Sequence, residues 1–571
     1  SNQDSAGYGS SVSTAGDVNG DGYSDVVVVA KYYDNGQTDE GAAFVYHFRA
    51  NGLNTAAGWT GESNQATAYF GWRANTAGDV NGDGYSDTIV SVFYFDNGTT
   101  DEGGAMVYLG SSSGLVTTAA WTGESNQGSS VYGYSVASAG DVNGDGYSDV
   151  IVGASNYDNG STDEGAAFVY LGSASGLATT AAWTGESNQT DAHYGCGVSS
   201  AGDVNGDGFS DVLVGAFYFD NGQPYEGQAY VYLGSSTGLA TAAAWTGESD
   251  QDYAQYGNNL STANDVNGDG FSDIIVGTSG MAQAFLYKGS STGLATTASW
   301  SSQGDADFGY NVASAGDVNG DGYSDVLVSA PNASNGQSIE GQAYLYVGSA
   351  SGLVSTTAWT GESNQAYAYY GYNLSSAGDV NGDGYSDIAV AASSYDNGST
   401  DEGKAWLYLG SSSGAATTAA WNGESNQGSA TYGVGVGGAG DVNGDGYSDL
   451  IVSAYLYDNG ESDEGRAFLY YGNNGPGIGV APRQYNSSNQ LIQVFGDTGS
   501  TSYYVKLKAR TAMGRTRTRL VVESKGVGTA FNNTSLVYGT WTDSTLSGTD
   551  LSKQVTGLTI GSDYHWRARM Q

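Results

Sequence analysis

One nonapeptide, Asp-Val-Asn-Gly-Asp-Gly-(Tyr/Phe)-Ser-Asp, occurs eight times in this chain, opening at Asp17, Asp79, Asp141, Asp203, Asp265, Asp317, Asp379 and Asp441. Successive copies lie 62, 62, 62, 62, 52, 62 and 62 residues apart. A fixed period of that size calls for a repeat architecture, one supersecondary unit per period. The 571 residues suffice for one large repeat domain and a smaller one. With 91 glycines, 44 tyrosines and only 4 prolines, the composition is turn-rich and β-forming.

Within each nonapeptide, oxygen-bearing side chains stand at positions 1, 3, 5 and 9, and the glycine at position 6 permits a sharp turn. Alternate residues can then converge on one point, with the main-chain carbonyl of position 7 as a further ligand, the arrangement a hard cation needs. Three carboxylates that close repel one another without a counter-ion. Ca²⁺ is the expected filler, because Mg²⁺ prefers few carboxylates and retained water. The expected ligands of the first two loops are Asp17, Asn19, Asp21, Tyr23 and Asp25, then Asp79, Asn81, Asp83, Tyr85 and Asp87. Those of the third and fourth are Asp141, Asn143, Asp145, Tyr147 and Asp149, then Asp203, Asn205, Asp207, Phe209 and Asp211. The fifth and sixth supply Asp265, Asn267, Asp269, Phe271 and Asp273, then Asp317, Asn319, Asp321, Tyr323 and Asp325. The last two supply Asp379, Asn381, Asp383, Tyr385 and Asp387, then Asp441, Asn443, Asp445, Tyr447 and Asp449. About eight ions are expected. Loops of this kind fill where calcium is near millimolar, which places the chain at the cell surface or outside the cell.

The unit around Asp141 shows what one period builds. Residues 132–139 alternate small and larger side chains and read as a first strand; the acidic loop follows. Residues 149–154 (Asp-Val-Ile-Val-Gly-Ala) form a short apolar run, the signature of a strand covered on both faces. A connection with an Asn159-Gly160 turn leads to a third strand at 166–172, and residues 181–186, containing Trp183, make a fourth. Four antiparallel strands joined as consecutive hairpins and repeated radially make a β-propeller blade. Consecutive hairpins disfavour a stacked solenoid.

The (Phe/Tyr)-Gly start, the Asp-x-Asn-x-Asp-Gly-x-x-Asp loop and the following Val-Gly-Ala resemble the FG-GAP repeat of integrin α chains and many bacterial surface proteins. The resemblance covers about residues 1–472. It implies Ca²⁺ in the loop between the first and second strands of each blade. It also implies a propeller that usually has seven blades. Eight complete loops favour eight, with seven as the alternative. Strand direction puts the acidic loops and the Gly-Ser-Ser-Ser-Gly turns on one face. The Asp-Asn-Gly hairpins and the Trp-Thr-Gly-Glu-Ser-Asn-Gln connections go to the other, where integrin-like relatives bind ligands.

The repeat breaks in two places. The short fifth period loses residues from its hairpin, where Gly280-Met281-Ala282 replaces the acidic turn, and from its last connection, Ser301-Ser302-Gln303-Gly304. Both losses are expected on one face and in one sector, leaving a notch. Seven units carry a fourth-strand tryptophan (Trp59, Trp121, Trp183, Trp245, Trp300, Trp359 and Trp421), and the eighth does not. Ser1-Asn2-Gln3 matches the tail of a Glu-Ser-Asn-Gln connection, as if a preceding strand were missing. An open eighth blade is a template for another strand, supplied in cis near residues 478–485 or by another copy.

After Gly475-Pro476 the repeat stops and basic residues outnumber acidic ones. Residues 473–484 read as a linker or donor segment and 485–571 as a small β-sandwich. Residues 555–568 resemble the fifth and sixth strands of a fibronectin type III domain, with Tyr564 as its tyrosine-corner residue. A seventh strand is not evident. The basic stripe fits a polyanion, a solvated face, or contact with the acidic propeller of a neighbouring molecule.

A formal net charge of −43 disfavours nucleic acid and anionic membranes as partners, and no run is long and apolar enough to insert into a membrane. The single Cys196 rules out intrachain disulfides and reads as a small strand residue. Three scattered histidines, His47, His193 and His565, and the absence of any nucleophile elbow or phosphate loop argue against catalysis. The expected function is an extracellular, calcium-stabilised structural protein of a bacterial surface or matrix. Its copies are expected to assemble head to tail into a fibre by strand donation. The alternative is an adhesin or carbohydrate-binding module that binds a glycan or protein on the face opposite the acidic loops.

Overall fold

The computed structural model describes residues 2–48, 56–444 and 446–472. In the C-terminal part it describes 483–485, 501–509, 517–526, 536–540, 542–543, 549–559 and 564–570. Residues 2–472 form an eight-bladed propeller, one blade per nonapeptide. Blade three is typical: Tyr132–Gly140, Asp149–Ala154, Ala166–Tyr170 and Trp183–Glu186 pair in chain order as an antiparallel meander. The second strand of every blade is buried along its whole length. This is what its continuous apolar run requires, because neighbouring blades cover both of its faces.

The core lies between blades. Eight apolar clusters in the propeller each join one blade to the next. The last joins blade eight to blade one through Tyr8, Val26 and Val28 against Ala439, Val442 and Ile451. Backbone bonds close the same seam, with Tyr8 N–H donating to Glu464 O at 3.0 Å, as Tyr132 does to Glu102 at 2.8 Å. Eight equivalent interfaces settle the choice between seven and eight blades.

The fourth-strand tryptophans bolt each blade to its successor. Trp183 is buried, meets the Tyr232 ring of blade four at 4.6 Å and donates from Nε1 to Ala240 O at 2.9 Å. Its indole lies over Gly185, where a Cβ would stand 2.4 Å from the ring, although blade five carries Ser302 at the equivalent position and still buries Trp300. Trp183→Ala is expected to cost about 3–5 kcal/mol, from lost burial plus a cavity. Denaturant midpoints check this, and a loss below about 1 kcal/mol would contradict the bolt.

Blade eight has three strands among the described residues: Gly435–Gly440, Asp449–Ala454 and Arg466–Tyr470. In blade three the fourth strand begins thirteen residues after Tyr170; the same offset from Tyr470 reaches Arg483. Arg483–Tyr485 does not fill the edge. It pairs with Ser502–Ala509 in the C-terminal part. The cis reading therefore fails for 483–485, and residues 478–482 lie outside the described set.

Blade five has the expected shortened hairpin, four residues between Asp273–Thr278 and Gln283–Tyr287. Gly304 N–H, in the shortened connection, donates to Ala282 O in that hairpin at 3.1 Å, so both deletions fall in one sector of one face.

In the C-terminal part, Arg483–Tyr485, Ser502–Ala509 and Thr549–Thr556 form one antiparallel sheet. Val537–Tyr538, Leu520–Gly526 and Tyr564–Met570 form another. One apolar cluster draws Tyr503, Val505, Leu551 and Val555 from the first sheet and Leu520 and Val522 from the second. The side chains of Tyr564 and His565 lie outside the described residues.

Candidate metal centre

Each nonapeptide bridges the first and second strands of its blade, at the end where the turn between the third and fourth strands also lies. In blade three, Asp141 Oδ1 accepts the Asp145 N–H at 3.1 Å and Oδ2 the Gly146 N–H at 2.8 Å. Asn143 Oδ1 accepts Asp145 N–H at 3.0 Å, and Asp145 Oδ1 accepts Tyr147 N–H at 3.1 Å. Side-chain oxygens at positions 1, 3 and 5 thus curl the backbone around themselves. Gly146, at φ 91°, occupies a left-handed conformation that a side chain would strain.

Position 9 is different. Asp149 is fully buried and accepts Val142 N–H on Oδ2 and Gly172 N–H on Oδ1, both at 2.8 Å. It therefore ties the loop to the turn after the third strand. The same pair of bonds recurs at Asp25, Asp87, Asp211, Asp273, Asp325, Asp387 and Asp449. Burial raises the Asp149 carboxyl to about 7, despite the two N–H donors, and Asp141 and Asp145 add repulsion. Burial likewise raises Asp25, Asp211 and Asp273 to about 7, and Asp87, Asp325 and Asp387 to about 8. The charges acting on these seven are other loop aspartates; none is a lysine or arginine.

The loops also join one another. The position 8 N–H of each blade donates to the position 1 carbonyl of the preceding loop, as Ser148 does to Asp79 at 2.9 Å, and Ser24 to Asp441 closes the circle at 3.0 Å. The aromatic ring at position 7 packs on the position 4 glycine of the preceding loop. A Cβ on Gly82 would lie 2.5 Å from Tyr147, and one on Gly144 equally close to Phe209. Tyrosine and phenylalanine alternate there without consequence because the ring is used for packing.

The structure places the expected residues of loops one to seven in the turn between the first and second strands of their blades; Asp445, in the eighth, lies outside the described residues. Among the described residues, no group of three or more Asp, Glu, His or Cys side chains is gathered into metal-holding geometry. The carboxylates are instead spread over the loop's own N–H groups. The donor set fits a hard cation nonetheless. It is all oxygen, anionic, and contains one buried carboxylate per loop that no described basic side chain neutralises in loops one to seven.

A second acidic set was overlooked in the sequence. On the opposite face, Glu164 of the hairpin is fully buried and accepts the Asn159 N–H on Oε1, while Oε2 has no partner. Asn159 Nδ2 donates to Glu186 of the outer strand at 2.5 Å. The hairpin is clasped to the preceding connection, where Gln127 Nε2 donates to Asp158 O at 2.7 Å and Gln127 Oε1 accepts Asp158 N–H at 2.6 Å. Gln3 makes the same two contacts with Asp34. The repeated Asp-Asn-Gly-x-x-Asp-Glu-Gly string carried that signal, which a reading of Asn-Gly as a plain turn missed.

Of the remaining candidates, the Cys196 thiol is pushed up to about 12 by burial and contacts Gly215 O at 3.4 Å, so it is a packing residue. His193 Nδ1 lies 3.0 Å from Ser155 O and its ring stacks on Phe217. His47 is buried.

Fold and loops together define an eight-bladed propeller with an acidic nonapeptide at the same place in every blade. Its repeats are FG-GAP repeats: that family matches residues 8–46, 132–170, 198–232, 370–408 and 433–470, and an FG-GAP-like repeat matches 265–328. Integrin alpha-V of Gallus gallus is 32% identical over 232 residues, 39% of this chain and 21% of that protein. Integrin alpha-PS3 of Drosophila melanogaster is 34% identical over 165 residues, 28% of this chain and 14% of that protein. Integrin alpha-7 of Rattus norvegicus is 35% identical over 133 residues, 22% of this chain and 12% of that protein. The chain thus spans about a fifth or less of the length of these curated relatives. Among solved structures, Saccharomyces cerevisiae Sqt1 aligns over 81% of this chain and 95% of its own at 10% identity, with a TM-score of 0.46, a likeness that carries no argument. Among the described residues no helix is long and apolar enough to cross a membrane.

Proposed function

We propose that this chain is a calcium-stabilised propeller with an adhesion-type structural role at a cell surface or in an extracellular matrix. The observation that carries this reading is the continuous ring of acidic loops, each bonded to the next, with a buried position 9 aspartate in loops one to seven on which only other loop aspartates act. Residues Asp17 to Asp449 in the eight nonapeptides would hold the ions. Calcium there would neutralise the loops and brace a face that has little apolar core of its own. The integrin relatives support the adhesion-type reading. The C-terminal strands are read as a fibronectin type III-like module, because their two three-stranded sheets share one apolar cluster. No catalytic role is assigned.

The finer reading is self-assembly into a fibre. Its support is the edge of blade eight, unpaired among the described residues, together with a basic C-terminal part following an acidic propeller. Light scattering and negative-stain microscopy in millimolar Ca²⁺ test it. Concentration-dependent filaments are expected, and a monodisperse monomer at high concentration would contradict assembly.

A second reading, glycan or protein binding on the opposite face, is favoured by exposed aromatic rings there. Tyr253 and Tyr367 are each 58% exposed, and Tyr225, Tyr218 and Phe217 continue the array from Tyr253 at ring separations of 5.7, 5.0 and 4.1 Å. Binding on a glycan array that Tyr253→Ala and Tyr367→Ala abolish would establish this reading; unchanged binding in both would remove it.

A further inference from the structure

On the face opposite the acidic loops, aromatic rings form a track from the rim of blade four toward the propeller axis. Its outer part starts at Tyr253, in the connection after the outer strand Trp245–Glu248, and continues through Tyr225 and Tyr218 to Phe217. Its inner part lies on blades two and three. Tyr134 meets Phe93 at 6.1 Å, and Phe93 meets Trp72 at 4.3 Å. Trp72 and Tyr134 stand at the start of Phe70–Gly78 and Tyr132–Gly140, the first strands of their blades, and first strands of neighbouring blades touch one another around the axis. The two parts come within electrostatic reach. Burial raises the Tyr134 hydroxyl, the Cys196 thiol adds to the rise, Arg73 opposes it and Tyr218 adds again. Trp72, Phe93 and Tyr134 are all partly open to solvent.

The inner end carries two cations. The chain has 60 acidic and 17 basic residues, and only six of the basic ones fall within residues 1–472. Two of those six, Lys31 and Arg73, lie here. Lys31 Nζ stands 4.9 Å from the ring centres of both Tyr32 and Trp72. Arg73 follows Trp72 and is exposed. Among the described residues neither meets a carboxylate at ion-pair distance, whereas Lys404 pairs with Glu424 at 3.6 Å. Ring faces hold the Lys31 ammonium in place without neutralising it. Two unneutralised cations beside stacked rings are out of keeping with so acidic a propeller, unless a ligand supplies the negative charge.

We infer that this track is a subsite for an acidic oligosaccharide, with sugar rings on the aromatic faces and a carboxylate or sulfate on Lys31 and Arg73. The track offers ring faces rather than an unpaired strand edge, which favours sugar units over an extended peptide. An arginine fork suits an oxyanion, and the lysine adds a second point charge. The long-range field of the acidic chain opposes an anion, but at 0.1 M salt it is screened within about 10 Å, so the contact charges decide. The inference deepens the glycan-binding reading above and rests on it, naming the ligand's charge and the residues that read it.

The test applies the full chain, in millimolar Ca²⁺ and 0.1 M salt, to an array of uronate-terminated and sulfated oligosaccharides. Each is paired with the same oligosaccharide lacking the charged group. At least one acidic member is expected to bind at least tenfold more tightly than its neutral counterpart, and whether it carries carboxylate or sulfate identifies the oxyanion. Lys31→Met and Arg73→Met should each weaken that member at least fivefold and leave its neutral counterpart unchanged, with melting temperature confirming the fold. Lys31→Arg should retain binding. Acidic members bound no better than neutral ones, or bound equally by Lys31→Met and Arg73→Met, overturn the inference. Neutral members bound and then lost in Tyr253→Ala would remove the acidic subsite and leave the glycan reading standing; no binding to any member would remove both.

Discussion

Excess chelator is expected to lower the melting temperature by roughly 10 °C at pH 7.5, and the loss should grow as pH rises. With Ca²⁺ at millimolar concentration and a dissociation constant of about 0.1 mM, mass action contributes about 1.4 kcal/mol per site and about 11 kcal/mol over eight sites. A propeller of this size unfolds with an entropy of about 1 kcal/mol/K, which sets the shift. The pH dependence follows from the position 9 aspartates, whose folded values of about 7 to about 8 lie above the ordinary 3.8. Between those limits the metal-free folded state binds more protons than the unfolded one, so its stability falls as pH rises from about 4 through about 8. A three-unit rise is worth on the order of 4 kcal/mol per carboxylate once ionised. Several such sites exceed the 5–15 kcal/mol that holds a typical domain together. Protonation or a counter-ion in the loops would offset that cost. In chelator the protein should melt higher at pH 5 than at pH 8.5, and Ca²⁺ should restore the pH 8.5 value. Thermal scans at both pH values check this; a melting temperature that rises with pH in chelator would contradict it.

Gly465→Ala is expected to destabilise the ring more than any other single methyl addition at the seam. Gly465 sits at φ 79°, and a Cβ there would stand 2.1 Å from Tyr8 O and 2.5 Å from Tyr8 N. Both contacts are with backbone that is fixed by the blade-eight to blade-one seam, including the parallel bridge from Tyr8 to Gly465. Neither side can yield as a flexible side chain would. The left-handed backbone alone costs about 1–2 kcal/mol, and displacing the first strand adds overpacking of about 1–3 kcal/mol. A total of about 3–5 kcal/mol is expected. Gly460→Ala, at φ 124° with nothing within 4 Å of its Cβ, carries backbone strain without the clash and serves as the control. Denaturant midpoints of the two variants separate these contributions, and equal losses would show that the seam is not tightly held.

Much of this architecture could be read in the chain, because each blade repeats its instructions. The apolar run 149–154 is wholly buried as its composition requires, and the acidic nonapeptide sits between the first and second strands as expected. The two faces separated correctly, since alternate hairpins must lie at opposite ends. What could not be read were contacts between units. Nothing local to Tyr147 says that its ring rests on Gly82, or to Trp183 that its indole donates to Ala240. The Gln127–Asp158 clasp likewise joins residues 31 positions apart. Of the two sources offered for the blade-eight edge, the cis one fails at Arg483–Tyr485 for a related reason. Its short polar pattern fits either sheet, and pairing with Ser502–Ala509 is decided by tertiary context.

The most direct test of the calcium account is a count of ions. Equilibrium dialysis of the full chain against Ca²⁺, followed by metal analysis, is expected to find about eight ions per chain, one for each nonapeptide. Asp149→Asn should leave about seven. A chain that retains none at millimolar Ca²⁺, or whose count is unmoved by Asp149→Asn, would contradict the central claim.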